Sequence, residues 1–399
     1  MISVNTAWAL MMKTIRPLEA ERVPLEHSAG RILRESLKAD RDYPPFDRVA
    51  MDGYALAFAK WESGGLRFAV QDMQTAGQSP KTLTGESTCI EIMTGAKLPE
   101  GCDLVIRYED TERDGDTVVI QPGLVLNPYS NIHRQGVDCL SGLVFHDGIM
   151  KAPVAALAAS FGYPEVLVTR RARISIIGTG DELVAINASP KDYQIRASNI
   201  HAVRMALDAA GHDVISCETL ADQRAHILNE VRSALERSDI VLLSGGVSAG
   251  KTDFIPSVLA DCGVLKVFHK IAQKPGKPLW FGQTEAGKTV FGLPGNPVST
   301  LICFYRYVLP YLEAMSGAPK RERGRVELLA RTASSPKLTH FIPVQLSWGS
   351  DAKMRAEAPL HNGSGDFSSL TGTHGFIEVP GENEPDFNPS QTLFTYYSW

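Results

Sequence analysis

The sequence predicts a multidomain α/β and β protein. Its centre is a doubly wound, mainly parallel α/β domain, accompanied by a β-rich insert and a C-terminal small β-barrel or sandwich. Three observations predict this. The 399 residues exceed what one hydrophobic core usually spans, so roughly two to four domains are expected. Apolar strand-like runs alternate with helical patterns between residues 172 and 318, the rhythm of a parallel sheet. Short apolar runs parted by Gly, Pro and Asp fill residues 63–126 and 320–399 instead.

Taken in order, Ser3 or Asn5 is placed to cap a helix carrying Trp8, Met11, Met12 and Ile15 on one face. Residues 1–62 and 127–171 read as one mixed N-terminal domain, with 63–126 inserted as a β-rich unit. Within the insert, Cys89–Met93, Leu104–Tyr108 and Thr117–Ile120 are strand-like. Ala152–Gly162 reads as a short buried helix and Val166–Thr169 as a strand.

From 172 to 318 the strands are Arg173–Ile177, His212–Cys217, Ile240–Leu243, Val264–His269 and Thr289–Leu293. The helices are Ser198–Ala210, Asp222–Glu236, Thr252–Asp261 and Val298–Met315. Ile240–Leu243 is wholly apolar, as a strand covered on both faces must be. Ligands of such a sheet bind at the carboxyl ends of its strands. Pro319 and the basic run Lys320–Arg325 read as a solvated linker rather than a nucleic-acid contact. Residues 320–399 then form the C-terminal β domain.

Composition narrows the function. Hydrophobic content of 44% and charged content of 21% suit a soluble globular protein. A net charge of −5 argues against a broad nucleic-acid or membrane surface, though a local basic pocket is compatible with it. The six cysteines form no C-x-x-C pair and the ten histidines no H-x-x-x-H pair, so no zinc site or disulfide framework is indicated. Reduced thiols in a cytoplasmic protein are the simplest account. Met1–Ile15 lacks a signal-peptide pattern, and no apolar run reaches the ~18 residues of a membrane helix.

Four loops leave strands of the α/β domain at the same edge. They are Gly178–Glu182, Ser244–Asp253, Lys274–Pro278 and Leu293–Ser299. Glycines such as Gly245 and Gly246 let backbone N–H groups approach phosphate oxygens, beside Ser248, while Lys274 and Lys277 add point charges. In the last loop Pro294 stiffens the turn, Asn296 is placed to cap a helix and Pro297 sits at its favoured first position. The alternative is a tight strand-to-helix turn without a ligand. Gly245–Thr252 matches a P-loop in letters, but Asp253 would face the phosphate, so the match is taken as chance. Asp181, Glu182 and Asp253 are acids beside expected phosphate groups. Each either caps a helix or shares a Mg²⁺ with those phosphates, and their convergence on one edge favours metal.

Three turn-rich segments lie in the first region: Pro44–Ala55, Ile92–Gly101 and Asn131–Asp138. With the four α/β loops they make a set that resembles the molybdopterin molybdenumtransferase family, which includes a domain of gephyrin. The matching segments occur in the family's order, with a weaker match at Gly363-Ser364-Gly365. The resemblance implies an elongated homodimer of four-domain chains, with an α/β domain like that of the molybdopterin adenylyltransferases. It implies adenylylated molybdopterin and molybdate as substrates, molybdenum cofactor and AMP as products, Mg²⁺ as cofactor, and handover from a molybdopterin adenylyltransferase. By motif, Asp52, Asp138, Glu182 and Asp253 correspond to the family's functional acids, with Glu182 and Asp253 as metal ligands. Thr94, Lys274, Lys277, Pro294, Pro297 and Ser364 correspond to other site positions. Val49, Val137 and Lys251 depart from residues the family often carries there. A scaffold protein without turnover and a pterin nucleotidyl transferase are the rival readings.

Overall fold

The computed structural model describes residues 1–146, 148–247, 254–329, 337–360, 362–388 and 390–399. Ser248, Lys251 and Asp253 lie outside the described residues. The central sheet contains β1 (Arg173–Thr179), β2 (Asp213–Leu220), β3 (Ile240–Ser244), β4 (Val264–His269), β5 (Trp280–Thr284) and β6 (Thr289–Leu293). Their order across the sheet is β2-β1-β3-β6-β5-β4. The pairs β1–β2, β1–β3 and β3–β6 are parallel, whereas β5 runs antiparallel to both its neighbours. The mainly parallel expectation holds, and β5 is the strand that the sequence reading passed over.

Alternation along β3 shows why its run is apolar on both faces. Ile240 and Leu242 enter one core with α1 (Ser198–Ala209), through Ile200, Val203 and Leu207. Val241 and Leu243 enter a second core with α2 (Arg224–Arg237) and α3 (Ile255–Asp261), through Val231 and Val258. A two-residue period thus feeds two helical layers. The single helix expected over Val298–Met315 is instead three pieces: α4 (Pro297–Cys303), a π-helical turn at Phe304–Val308 and α5 (Leu309–Ser316). Pro310 has no N–H to offer the Arg306 carbonyl, which accounts for the break in the ladder.

The C-terminal domain resolves as a barrel rather than a sandwich. Strands Arg325–Leu328, Thr339–Trp348, Met354–Glu357, Gly375–Val379 and Leu393–Ser398 pair in a closed ring. Gln273 and Lys274 pair in parallel with Thr339 and His340, so the barrel joins the α/β domain beside Lys274. Two further contacts fix it. Buried Glu384 accepts the Val4 and Asn5 N–H groups at the start of the N-terminal helix (2.5 and 3.2 Å). Arg306 of the π-helical turn donates to Glu378 of the barrel at 2.8 and 3.4 Å. The N-terminal helix spans Val4–Met12, with Ser3 as its cap.

In the first region, Ala20–Pro24 pairs with Glu165–Thr169. A separate six-stranded sheet is built from Leu104–Arg107, Gly53–Leu56, Thr88–Ile92, Arg67–Gln74, Thr117–Ile120 and Thr111–Asp114. Gly53–Leu56 lies inside this sheet although it precedes residue 63 in the chain. Among the described residues no helix is long and apolar enough to cross a membrane.

Candidate functional site

A cleft of about 710 Å³ opens at the carboxyl edge of the central sheet. Glu182, Gly245, Gly246, Lys274, Lys277, Pro294, Asn296 and Ser364 all line it. The structure thus gathers eight sequence-predicted positions from three α/β loops, the Gly178–Glu182 turn and the barrel. Pro297 lines a smaller cavity that adjoins the cleft.

Local chemistry holds each part. The lysine loop turns on Gly276, whose φ is +87° and where a Cβ would meet Cys303 Sγ at 2.6 Å. Only glycine suits that position. Gln273 Nε2 donates to the Pro275 carbonyl (3.2 Å), and Gln273 Oε1 accepts from Tyr307 OH (2.5 Å). The loop bearing both lysines is therefore anchored to the π-helical turn. Gly246 has φ +64°, and a Cβ there would lie 2.7 Å from Ile255 Cγ1 and 2.9 Å from Thr179 Oγ1.

Asn296 stands at the N-cap of α4 but makes no capping bond. Its Nδ2 donates instead to Ser364 Oγ (2.8 Å), and the Val298 N–H donates to the Ser364 carbonyl (3.1 Å). The barrel takes over the role expected of the asparagine, and in doing so ties Ser364 to the cleft wall. Asp181 does not cap a helix that follows it directly. Its Oδ1 accepts the Asp222 N–H (2.9 Å), which binds the first loop to the segment before α2. Asp222, on the loop after β2, lines the cleft and was not singled out from sequence. Its position after a parallel strand was the available signal. Gln273 and Asn199 were also missed, because their partners, the Tyr307 hydroxyl and the Gly295 carbonyl, lie far along the chain.

The remaining predicted acids lie elsewhere in the chain. Asp52 and Thr94 meet each other: the Thr94 N–H and hydroxyl donate to Asp52 Oδ1 at 2.6 and 2.7 Å. These two bonds hold the Asp52 carboxyl below the usual carboxylate range. Asp138 accepts from His133 Nε2 at 2.9 and 3.0 Å. Asp52, Thr94 and Asp138 are not among the residues lining the cleft of the same chain. Thr94→Val is expected to raise the Asp52 pKa toward the ordinary value, read by NMR titration of its carboxyl carbon. The sign follows from the depressed folded pKa. The stabilising bonds are present above the unfolded pKa and are lost as pH falls through the folded one. An unmoved titration would remove the Thr94 hydroxyl as a cause and leave the Thr94 N–H, which valine keeps.

Among the described residues no group of three Asp, Glu, His or Cys side chains stands ready to hold a metal ion. Glu182 and Asp222 are the carboxylates on the described cleft wall. A Mg²⁺ held by one or two carboxylates and completed by substrate phosphates suits that donor set, whereas an all-protein cage does not.

The fold and the cleft together define an α/β domain whose lysine-bearing cleft is walled by a second domain. Comparison with known proteins makes this specific. Residues 2–162 match the MoeA N-terminal region (domain I and II), 175–314 the probable molybdopterin binding domain, and 325–386 the MoeA C-terminal region (domain IV). A molybdopterin molybdenumtransferase from Synechocystis sp. is 38% identical over 403 residues, covering 100% of both chains. One from Haemophilus influenzae is 35% identical, covering 79% of this chain and 78% of its own. The solved molybdopterin biosynthesis moeA protein of Pyrococcus horikoshii OT3 superposes with a TM-score of 0.79 at 26% identity, over 100% of each chain. The chain belongs to the molybdopterin molybdenumtransferase family, a family of transferases.

Proposed function

We propose that this protein inserts molybdate into adenylylated molybdopterin, releasing AMP and yielding molybdenum cofactor. The observation that carries the reading is the cleft itself, whose wall holds Lys274 and Lys277 together with Glu182 and Asp222. Lysines hold the oxyanions of molybdate and of the phosphoanhydride as point charges. Glu182 and Asp222 are the residues that would hold Mg²⁺. When bound, that ion neutralises charge developing on the leaving AMP phosphate. Ser364, fixed by Asn296, adds a hydroxyl from the barrel side, and the barrel limits water access to the bond being broken. The cytoplasm is the natural compartment, since the six cysteines are free thiols.

Molybdate-dependent release of AMP tests the reading. A scaffold releases none, and a nucleotidyl transferase consumes ATP and forms pyrophosphate.

Asp52 and Asp138 serve the same reaction in this reading, from the partner subunit of a homodimer. The support is their family correspondence together with their absence from the cleft of their own chain. Mixing inactive Asp52→Ala and Asp253→Ala chains is expected to restore activity, because each heterodimer then holds about one intact site. Exchange is verified with two affinity tags. Confirmed heterodimers that stay inactive would place the site within one chain.

A further inference from the structure

A row of cations stands on the surface of the first region. Arg48–Val49 pairs antiparallel with Ile132–His133, which sets Arg48 opposite His133, and Arg48 also bridges Lys97. None of the three lines the cleft of the same chain. The Val49 N–H donates to the Ala96 carbonyl (2.9 Å) and the Leu98 N–H to the Asp47 carbonyl (2.8 Å). These bonds bracket Arg48 and Lys97, which makes them a non-hydrogen-bonded pair, the kind whose side chains stand closest. Opposite residues share a face of a sheet. Val49, Ala96 and Ile132 pack into an apolar cluster beneath, so Lys97, Arg48 and His133 lie side by side on the open face. His133 is engaged by Asp138. Arg48 and Lys97 are exposed and, among the described residues, meet no carboxylate. The other Lys and Arg residues from 48 to 134 all do: Lys60, Arg67, Lys81, Arg107, Arg113 and Arg134. Like charges directly opposite each other are destabilising. A pair placed so, without the acids given to its neighbours, calls for an anion from outside the chain.

We propose that Arg48 and Lys97 together hold a tetrahedral oxyanion, either molybdate or the phosphate of the adenylyl group. The inference rests on the proposed function and adds two residues to it. Position points to the reaction. Lys97 closes the turn that begins at Thr94, the partner of Asp52, and the Gly95 N–H of that turn donates to the Val49 carbonyl (2.9 Å). On the other side of Arg48, His133 holds Asp138. The free cations therefore sit between the two acid-bearing pairs that the first region brings to the site. The Arg48 guanidinium offers a planar fork of donors to two oxygens, and Lys97 adds a point charge. An oxyanion between them turns a like-charge repulsion into two charge-assisted contacts.

Calorimetric titration of the full-length protein with molybdate alone and with AMP alone tests the assignment and tells the two sources apart. Arg48→Gln with Lys97→Gln is expected to weaken one of the two anions about tenfold, with a shallower salt dependence than the wild type. Its melting temperature should be unchanged or higher, because a like-charge contact is removed. Arg48→Lys with Lys97→Arg keeps both charges and should retain affinity within about threefold. Lys60→Gln with Arg67→Gln removes the same charge from paired positions of the same region and should leave both anions within about twofold. The proposal is overturned if neither anion binds the wild type, if the Arg48→Gln, Lys97→Gln protein binds both as the wild type does, or if the Lys60→Gln, Arg67→Gln protein weakens them equally. Molybdate-dependent AMP release by the wild type is scored separately. If it is present while both anions ignore Arg48 and Lys97, this inference alone fails; if it is absent, the proposed function fails.

Discussion

Glu182→Gln is expected to lower molybdate-dependent AMP release by about a hundredfold or more at ordinary Mg²⁺, with the fold intact. That is the scale of losing a positive partner of a developing oxyanion, because Glu182 would act on that charge only through the Mg²⁺ it holds. Gln keeps the volume and one oxygen, so packing over Gly180 survives; a Cβ at Gly180 would lie 2.7 Å from both Glu182 carboxylate oxygens. Only the charge is removed. If that charge serves to hold Mg²⁺, the variant needs more Mg²⁺ for half-maximal rate, and high Mg²⁺ recovers part of the loss. Asp222→Asn, on the same wall, should shift the Mg²⁺ requirement in the same direction. Full turnover of Glu182→Gln at unchanged Mg²⁺ demand would sink the metal role. A uniform loss that Mg²⁺ does not touch would instead move Glu182 to direct contact with substrate.

Much of this site was legible in the chain because its parts are local. A glycine forced to positive φ, a proline at a helix start and two lysines three residues apart carry their meaning within one loop. The sheet then brings such loops together, since parallel strands end on one edge. What escaped is what depends on distant partners. Asn296 reads as a cap from its neighbours, yet Ser364, 68 residues on, claims its side chain. Asn199 and Gln273 look like ordinary polar residues until Gly295 and Tyr307 are placed beside them. The strand β5 was passed over because it is inserted antiparallel between β6 and β4, outside the strand–helix rhythm. The closed barrel followed from the pairing of one long strand with two others, which no local pattern specifies.

Arg306→Met is expected to destabilise the protein by about 3–5 kcal/mol, the range for stranding one member of a buried ion pair. Arg306 is 7% exposed, and Glu378 sits against it with the Tyr397 hydroxyl donating to the same carboxylate at 2.5 Å. Burial works against the Arg306 charge, but Glu378 and the neighbouring tyrosines more than offset it, leaving its pKa above the ordinary value. Without the guanidinium, the carboxylate remains buried with the tyrosine as its donor. Arg306→Met with Glu378→Leu removes both charges and should recover most of the loss, as apolar replacements of buried pairs commonly do. Urea midpoints of the two single variants and the double variant measure this. A loss in the double variant equal to the sum of the two single losses would show that the pair is not coupled. Function should follow stability here. Arg306 belongs to the same π-helical turn as Tyr307, which anchors Gln273, and Glu378 belongs to the barrel that carries Ser364 to the cleft. A loosened pair therefore frees both walls of the anion site. Substrate KM is expected to rise in Arg306→Met under conditions where the chain is still folded, and to return toward the wild-type value in the double variant.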